Sequence, residues 1–371
     1  MNYFNEVKKN FGFGCMRLPM TENDEVDYDH FCKMVDTFLD EGFNYFDTAH
    51  GYISGKSEIA IRECLVKRHS RDKYILTNKL SEGYFQKEED IIPFFVSQLE
   101  ACGVEYFDFY LFHAMNAKYY KKYTECNAFE TVKKLKEQGK VRHIGLSFHD
   151  KAEVLDMMLS EHPEIEAVQI QFNYLDYEDP SVEGRLCYEV CRKHNRPIIV
   201  MEPVRGGALV NLPEKAKNIL SSLNGGSVAS YAIRYAAGFE GMFMVLSGMS
   251  NMEQMNDNLS YMKDFVPLNE QEHKAVQTVC AVMKNEDLIP CTACSYCVEG
   301  CPMNIPIPDL FSCYNSKKQY EGFNGGWYYG IFTQEKGKAS DCIKCGACED
   351  ICPQKLNIRE LLDTVAEEYD K

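Results

Sequence analysis

Between residues 10 and 265 the apolar positions switch repeatedly between two spacings. Short β-favouring runs bounded by polar residues read as strands, and stretches with apolar residues at i, i+3, i+4 and i+7 read as helices. The first run, Phe11–Met16, precedes a segment in which Phe31, Met34, Val35, Phe38 and Leu39 hold the helical spacing. A second strand ends at Asp47, ahead of a helix near Ser57–Lys67. Strands at Tyr74–Lys79, Phe107–His113, Val141–Ser147, Ala167–Gln171, Pro197–Met201 and Phe243–Ser247 follow. They alternate with helical patterns at Glu88–Cys102 and Ala128–Gln138, and with others ending at Leu159, His194 and Met262. Eight such repeats over about 250 residues have the size of a parallel (β/α)8 TIM barrel. An open doubly wound sheet would need a G-x-G-x-x-G opening an early helix, and the Gly12-Phe13-Gly14 pair does not supply it. The pattern predicts a barrel over residues 1–268.

The alternation then stops. Residues 269–285 read as a helical connector, and Ile289-Pro290 marks a break. Cys291, Cys294, Cys297 and Cys301 stand before Pro302, and the same spacing recurs as Cys342, Cys345, Cys348 and Cys352 before Pro353. This C-x2-C-x2-C-x3-C-P run is the bacterial ferredoxin pattern for 4Fe–4S clusters, in which the fourth cysteine serves the other cluster. Cys291, Cys294, Cys297 and Cys352 are therefore assigned to one cluster, and Cys342, Cys345, Cys348 and Cys301 to the second. Structural zinc is the alternative for paired cysteines, but its four-ligand sites do not call for a regular third and fourth cysteine. The insert Ile305–Ser340 is longer than a compact two-cluster ferredoxin needs, and its DLFSCYNSKKQY stretch reads as helix. Cys313, outside both motifs, reads as a packing residue. The expected fold is thus a TIM barrel, a connector, and a mainly helical dicluster domain over residues 286–371.

Composition narrows the partners. The hydrophobic content of 45% with 26% charged residues is ordinary for a globular protein, and the net charge of -16 argues against nucleic acid or an anionic membrane. No apolar run reaches membrane-spanning length, and the first residues lack the apolar core of a secretory signal. The expected location is cytoplasmic. Of the 17 cysteines, those outside the two motifs, such as Cys32, Cys64 and Cys187, are scattered through apolar or helical contexts as small hydrophobes.

Polar residues at strand ends suggest chemistry. Asp47 and Tyr52 follow the second strand, Lys79 closes the third and His113 closes the fourth. In a parallel barrel, successive strand C-termini are neighbours on one rim, so the four can converge. They suit proton donation to a carbonyl oxygen as a hydride reaches its carbon. Tyr52 is the expected general acid, and Lys79 the ammonium that lowers its pKa by roughly 1–3 units. Asp47 anchors the lysine, and His113 orients the substrate. Tyr119, Tyr120 and Tyr123, in an expected loop over Asn116–Cys126, suggest an aromatic pocket wall.

FDTAHGYISGKSE (46–58), Lys79 and LFH (111–113) resemble the aldo/keto reductase superfamily, as do VRHIGLS, VQIQFNY, EPVRGG and SGMSNMEQMNDNL. With the cysteine motifs, the chain is similar to the iron–sulfur-bearing members found in anaerobes. The resemblance implies an oxidoreductase acting on a small carbonyl or alcohol, with an Asp–Tyr–Lys–His tetrad and NADH or NADPH. It implies Ser147 and Gln169 on the nicotinamide carboxamide. It also implies cofactor contacts from Met16, Met201, Pro203, Arg205, Gly206, Ser247, Gly248, Gln254 and Asn258. Met201 stands where an aromatic residue commonly stacks on the nicotinamide, and Phe148 where asparagine is common. Gly248 and Gln254 stand where cations commonly grip the 2′-phosphate of NADPH, which leaves the choice of dinucleotide open. Clusters pass single electrons while a nicotinamide delivers a hydride. Either the clusters feed a flavin or an external flavoprotein, making the barrel a reductase driven by a reduced ferredoxin partner, or the barrel is an ordinary carbonyl reductase and the clusters fold the tail. A non-catalytic electron-transfer protein is the third possibility, disfavoured by the intact tetrad.

Overall fold

The structure is a computed structural model and describes residues 3–179, 182–223, 225–284, 288–319 and 325–370. Eight strands, β1 (Phe11–Gly14), β2 (Tyr45–Asp47), β3 (Ile75–Leu80), β4 (Phe107–Met115), β5 (Val141–Phe148), β6 (Ala167–Gln171), β7 (Ile198–Met201) and β8 (Met242–Ser247), close into a barrel in chain order. All neighbouring pairs are parallel, including β1 with β8. The helices of this region are α1 (Tyr28–Asp40), α2 (Lys56–Ile61), α3 (Glu88–Cys102), α4 (Ala117–Glu125), α5 (Ala128–Glu137), α6 (Ala152–Glu161), α7 (Gly184–Lys193), α8 (Glu214–Ser221), α9 (Val228–Ala237) and α10 (Met252–Met262). α1 shows how the pattern works: the Asp27 carboxylate accepts from the His30 N–H at 3.0 Å, and the apolar stripe buries Phe31, Met34, Val35 and Phe38.

Period two decides what points into the barrel. Tyr45, Ile75, Phe109, Leu111, Ala167 and Ile199 belong to one buried cluster. Counting two residues at a time toward the strand C-termini, Asp47, Lys79, His113, Gln169 and Met201 become the upper inward layer. The lower end is plugged by the N-terminal segment, where Phe4 packs on Phe109 at 4.9 Å, Phe243 at 5.0 Å and His143 at 4.6 Å. Chemistry is left to the upper rim.

Residues 116–126 differ from expectation. They form α4, begun by the Asn116 side chain accepting from the Tyr119 N–H at 2.9 Å. Tyr123 is fully buried with its hydroxyl on the Leu80 carbonyl, so it lines no pocket. Tyr120 bonds Glu161 and His162. β4 runs two residues past His113, with its register to β5 shifting after Phe112. Cys64 and Cys187 are buried as small hydrophobes, while Cys32 is half-buried with its sulfur 2.7 Å from that of Cys64.

The chain divides into two compact units, one of Met1–Pro203 and Gly225–His273 and a second of Val204–Asn224 and Lys274–Lys371. The exit from β7 and α8, which the sequence pattern leaves with the barrel, thus belong with the C-terminal region. That region comprises α11 (Glu270–Lys284), which begins in the first unit, then α12 (Tyr296–Glu299), α13 (Ile307–Gln319), α14 (Gly325–Phe332), α15 (Ala347–Ile351) and α16 (Ile358–Tyr369). Ile289, Ile305, Leu310, Phe311, Ile358 and Val365 pack its core together with Cys297, Cys348 and Cys352. Asn285, expected to end the connector, Glu286, expected to open the cluster domain, and Tyr320, expected at the end of a helix, lie outside the described residues. Among the described residues no helix is long and apolar enough to cross a membrane.

Outside the barrel wall, Asp108 of β4 is fully buried. It accepts from Arg71 at 2.6 Å, Arg142 at 3.0 Å and the Leu76 N–H at 2.8 Å, tying β3, β4 and β5 together. Asp108→Ala strands a backbone donor and two guanidinium groups, one of them half exposed. It should cost about 2–3 kcal/mol in urea unfolding, whereas Glu63→Ala, at a solvent-screened surface pair, should leave the urea midpoint nearly unchanged.

Candidate active site and cluster motifs

Lys79 is the buried centre of the rim. Its Nζ donates to Asp47 Oδ1 at 2.6 Å, to the Thr48 carbonyl at 2.9 Å and toward the Tyr52 hydroxyl at 3.2 Å. Lys79 is 0% exposed and Asp47 2%, so the pair is charged in a place with little water. Burial is the largest influence on Asp47 and pushes its carboxyl above the usual range, against the pull of Lys79 and of the Gln169 amide. That amide acts from beyond strict bonding distance, since Asp47 Oδ2 has no hydrogen-bond partner.

Tyr52 reaches this pair from a strained turn. Ile53, Ser54 and Gly55 are three successive left-handed residues at φ 52°, 52° and 83°. The turn is held by Thr48 Oγ against Ser57 Oγ at 2.8 Å, and by Ser57 Oγ donating to the Cys15 carbonyl at 2.8 Å. His50 Nδ1 meets Glu58 at 2.7 Å, and Asn78 Nδ2 donates to the same carboxylate at 2.8 Å. Gln98 Nε2 donates to the Lys79 carbonyl at 3.0 Å and to Asn78 Oδ1 at 3.1 Å. The turn that carries Tyr52 and the strand that carries Lys79 are thereby locked to one another.

The expectation that Lys79 lowers the Tyr52 phenol is not met. The phenol is pushed well above its ordinary value, first by burial and then by the charge of Asp47, against the pull of Arg17. The physical reason is pairing: an ammonium 2.6 Å from a carboxylate presents little net charge to its neighbour. Arg17, on the turn after β1 and 4.0 Å from Glu202, is a site residue that strand-end counting overlooks, because it follows β1 by three residues.

His113 lies on the same rim, its ring centroid 6.1 Å from that of Tyr52. Burial, then Lys79 and His149, hold its imidazole well below the ordinary value, so it is neutral at working pH. Its Nδ1 pairs with the Ser81 hydroxyl at 2.7 Å, which leaves Nε2 to bear the proton when Ser81 donates. Ser81 was legible only as a residue two places beyond Lys79.

Around the rim, Ser147 and Gln169 are buried register neighbours on β5 and β6. Met16 and Met201 are half-buried, Pro203 is buried and Gly248 is exposed. Asn258 Nδ2 donates to Ser247 Oγ at 2.9 Å, so these two fix the end of β8. Gln254 Oε1 accepts from the Ser250 N–H at 2.8 Å and thus caps the start of α10. Arg205 and Gly206 fall in the second unit, against the first cysteine motif.

A family model for the aldo/keto reductase family matches residues 10–281, and one for a 4Fe-4S dicluster domain matches residues 290–356. The chain belongs to the aldo/keto reductase family. The "Probable aldo-keto reductase 1" of Glycine max is 30% identical over 215 residues, 54% of this chain and 57% of the relative. The "NADH-specific methylglyoxal reductase" of Escherichia coli is 26% identical over 196 residues, 47% of this chain and 57% of that protein. The matched part thus spans little more than half the length of these curated relatives. Among solved structures, a Klebsiella pneumoniae aldo-keto reductase in complex with NADPH superposes with a TM-score of 0.60 at 17% identity, over 73% of this chain and 90% of that one. The holo form of a Bacillus halodurans aldo-keto reductase gives 0.60 at 22% identity, over 73% and 92%. Both confirm the barrel expected of this family.

The dicluster domain carries the eight motif cysteines. Cys297 is pushed up by burial and then by Cys294, Cys291 and Cys352, which puts these four thiols within electrostatic reach. Cys291 rises to about 11, chiefly through burial. Cys348 rises to about 11 through burial, with Glu349 and Cys342 adding. Cys345 is exposed and Cys301 half-buried. Among the described residues no three such side chains converge as around a single ion. Thiols crowded into a core in this way fit an iron–sulfur group, whose irons take them as thiolates.

Lys79→Met leaves the Asp47 carboxylate buried without its cation. Asp47 already has a raised folded-state pKa, so its contribution to stability is present at acid pH and lost as pH rises through that value. The stability deficit of Lys79→Met against wild type should therefore be larger at pH 8 than at pH 5. The Asp47→Asn/Lys79→Met double variant should lose most of that pH dependence in thermal melts.

Proposed function

We propose that the barrel is a carbonyl reductase in which Tyr52 is the general acid and a nicotinamide dinucleotide is the reductant. The observation that carries this reading is the Asp47–Lys79–Tyr52 chain at 2.6 and 3.2 Å, with neutral His113 on the same rim. When bound, the dinucleotide supplies the hydride to the carbonyl carbon. Ser147 and Gln169 offer a polar shelf for its amide, and the exposed Gly248, with the Arg17 side chain near it, offers an approach for its phosphates.

The chain's own groups handle the proton. His113 Nε2–H donates a hydrogen bond to the carbonyl oxygen and sets its direction. As negative charge grows on that oxygen, the Tyr52 proton moves to it and an alcohol results. Lys79 Nζ then stabilises the phenolate, and solvent returns the proton. The high phenol pKa keeps Tyr52 protonated until the transition state calls on it. The E. coli relative, an NADH-specific methylglyoxal reductase, and the NADPH of the K. pneumoniae structure support this pairing of carbonyl and nicotinamide.

In the second unit, Cys291, Cys294, Cys297 and Cys352 would hold one 4Fe–4S cluster, and Cys342, Cys345, Cys348 and Cys301 the other. When bound, such clusters supply one-electron carriers. Their loading also adds to folding, because the unit's apolar core is built around three of the same cysteines.

Tyr52→Phe should lower kcat for aldehyde reduction by about 100-fold or more with dinucleotide affinity retained; unchanged turnover would remove the acid role. The wild-type kcat/KM should be flat from pH 6 to 9, since neither His113 nor Tyr52 titrates there; a break near pH 7 would contradict both assignments. Protein purified without oxygen should hold about eight irons per chain and a visible absorbance that dithionite bleaches. Bound zinc and no colour would reverse the cluster assignment.

A further inference from the structure

The chain leaves β7 through Glu202-Pro203 and at Val204 enters the unit that contains the cysteine motifs. Three left-handed residues follow, Arg205 at φ 49°, Gly206 at φ 62° and Gly207 at φ 101°. They turn the backbone directly onto the first motif: a Cβ on Gly206 would sit 2.3 Å from the carbonyl oxygen of Thr292, the residue after Cys291. Only glycine permits that approach. Thr292 is buried and Arg205 only 8% exposed, so the guanidinium lies in protein rather than in water. Gly206 thus packs on the residue that follows Cys291, whose sulfur receives the Ala293 N–H at 3.4 Å.

We propose that Arg205 raises the reduction potential of the cluster held by Cys291, Cys294, Cys297 and Cys352. This rests on the cluster assignment made above. Reduction adds one electron, and so one negative charge, to a group already ringed by four thiolates. A guanidinium buried next to the segment that carries one of those sulfurs stabilises the reduced form more than the oxidised form. Burial sets Arg205 apart from the cations near the second motif. Lys344 and Arg359 act near Cys342, but their side chains are half exposed, so solvent screens them. The residue after Cys342, Ile343, is 60% exposed, where its counterpart Thr292 is buried. A loop belonging by sequence to the barrel's rim would thus serve as an electrostatic part of one cluster site, rather than as the dinucleotide contact that the family resemblance implies.

The test uses the full chain purified without oxygen as wild type, Arg205→Gln, Arg205→Met, Arg205→Lys and Lys344→Gln. Iron and sulfide are measured first. Each protein is then titrated with dithionite and its reduced clusters followed by electron paramagnetic resonance, with NADH and NADPH affinities measured in parallel. Arg205→Gln should move one of the two midpoint potentials to a lower value and leave the other in place. Arg205→Lys should restore most of the wild-type value, Lys344→Gln should move neither comparably, and dinucleotide affinity should hold. Loaded Arg205→Gln with both potentials unchanged, or with both displaced equally, would overturn the inference. So would lost dinucleotide affinity without a shift, which would return Arg205 to the phosphate site. Failure of both neutral variants to load iron, with Arg205→Lys loading it, would mark a structural role and overturn it too. Wild-type protein without iron would overturn the cluster assignment itself, a separate result.

Discussion

A lysine and an aspartate buried together at the top of a closed barrel constrain most of what surrounds them. Removing two such charges from water costs on the order of several kcal/mol per ion, and their attraction offsets this only when geometry and extra hydrogen bonds are supplied. Here the Thr48 carbonyl and the Tyr52 hydroxyl complete the ammonium's contacts, and the backbone of Lys79 is fixed from the other side by Asn78 and Gln98. The left-handed turn over residues 53–55 stores strain to bring Tyr52 into that company. An apolar pair in the same place would be cheaper to bury. Burial first, and the charges of the pair second, leave a phenol that keeps its proton and an imidazole that stays neutral.

The second unit follows a different logic. Its apolar core is modest, and three of the eight motif cysteines are part of it. An inorganic group taken by those cysteines would add to the folding of such a core. In the proposed reading the barrel moves two electrons as a hydride while the cysteine motifs imply carriers of one, so the two halves would need separate control of their energetics. The backbone supplies a route for that control, since the segment after β7 leaves one unit and becomes part of the other.

Much was legible from residue pattern. Glu88–Cys102 and Ala167–Gln171 are helix and strand over the limits expected, because each is a clean instance of its period. The tetrad was readable because a parallel barrel converts strand order into adjacency on a rim. Residues 116–126 were misread as a loop because their polar tyrosines and lysines carry a weak apolar stripe, and the Asn116 cap decided the matter. Arg17 and Ser81 were missed because neither ends a strand, yet each touches the chemistry through space.

By itself the sequence determined the barrel, the cysteine spacing and the order in which Asp47, Tyr52, Lys79 and His113 meet the rim, since all of these follow from periodicity and covalent spacing. Tertiary structure alone decided that the Tyr52 phenol rises rather than falls, that Gln254 and Asn258 serve the β8 end, and that Arg205 faces a cysteine motif. Those outcomes depend on burial and on the net field of charges brought together from distant positions, and neither quantity exists until the chain has closed on itself.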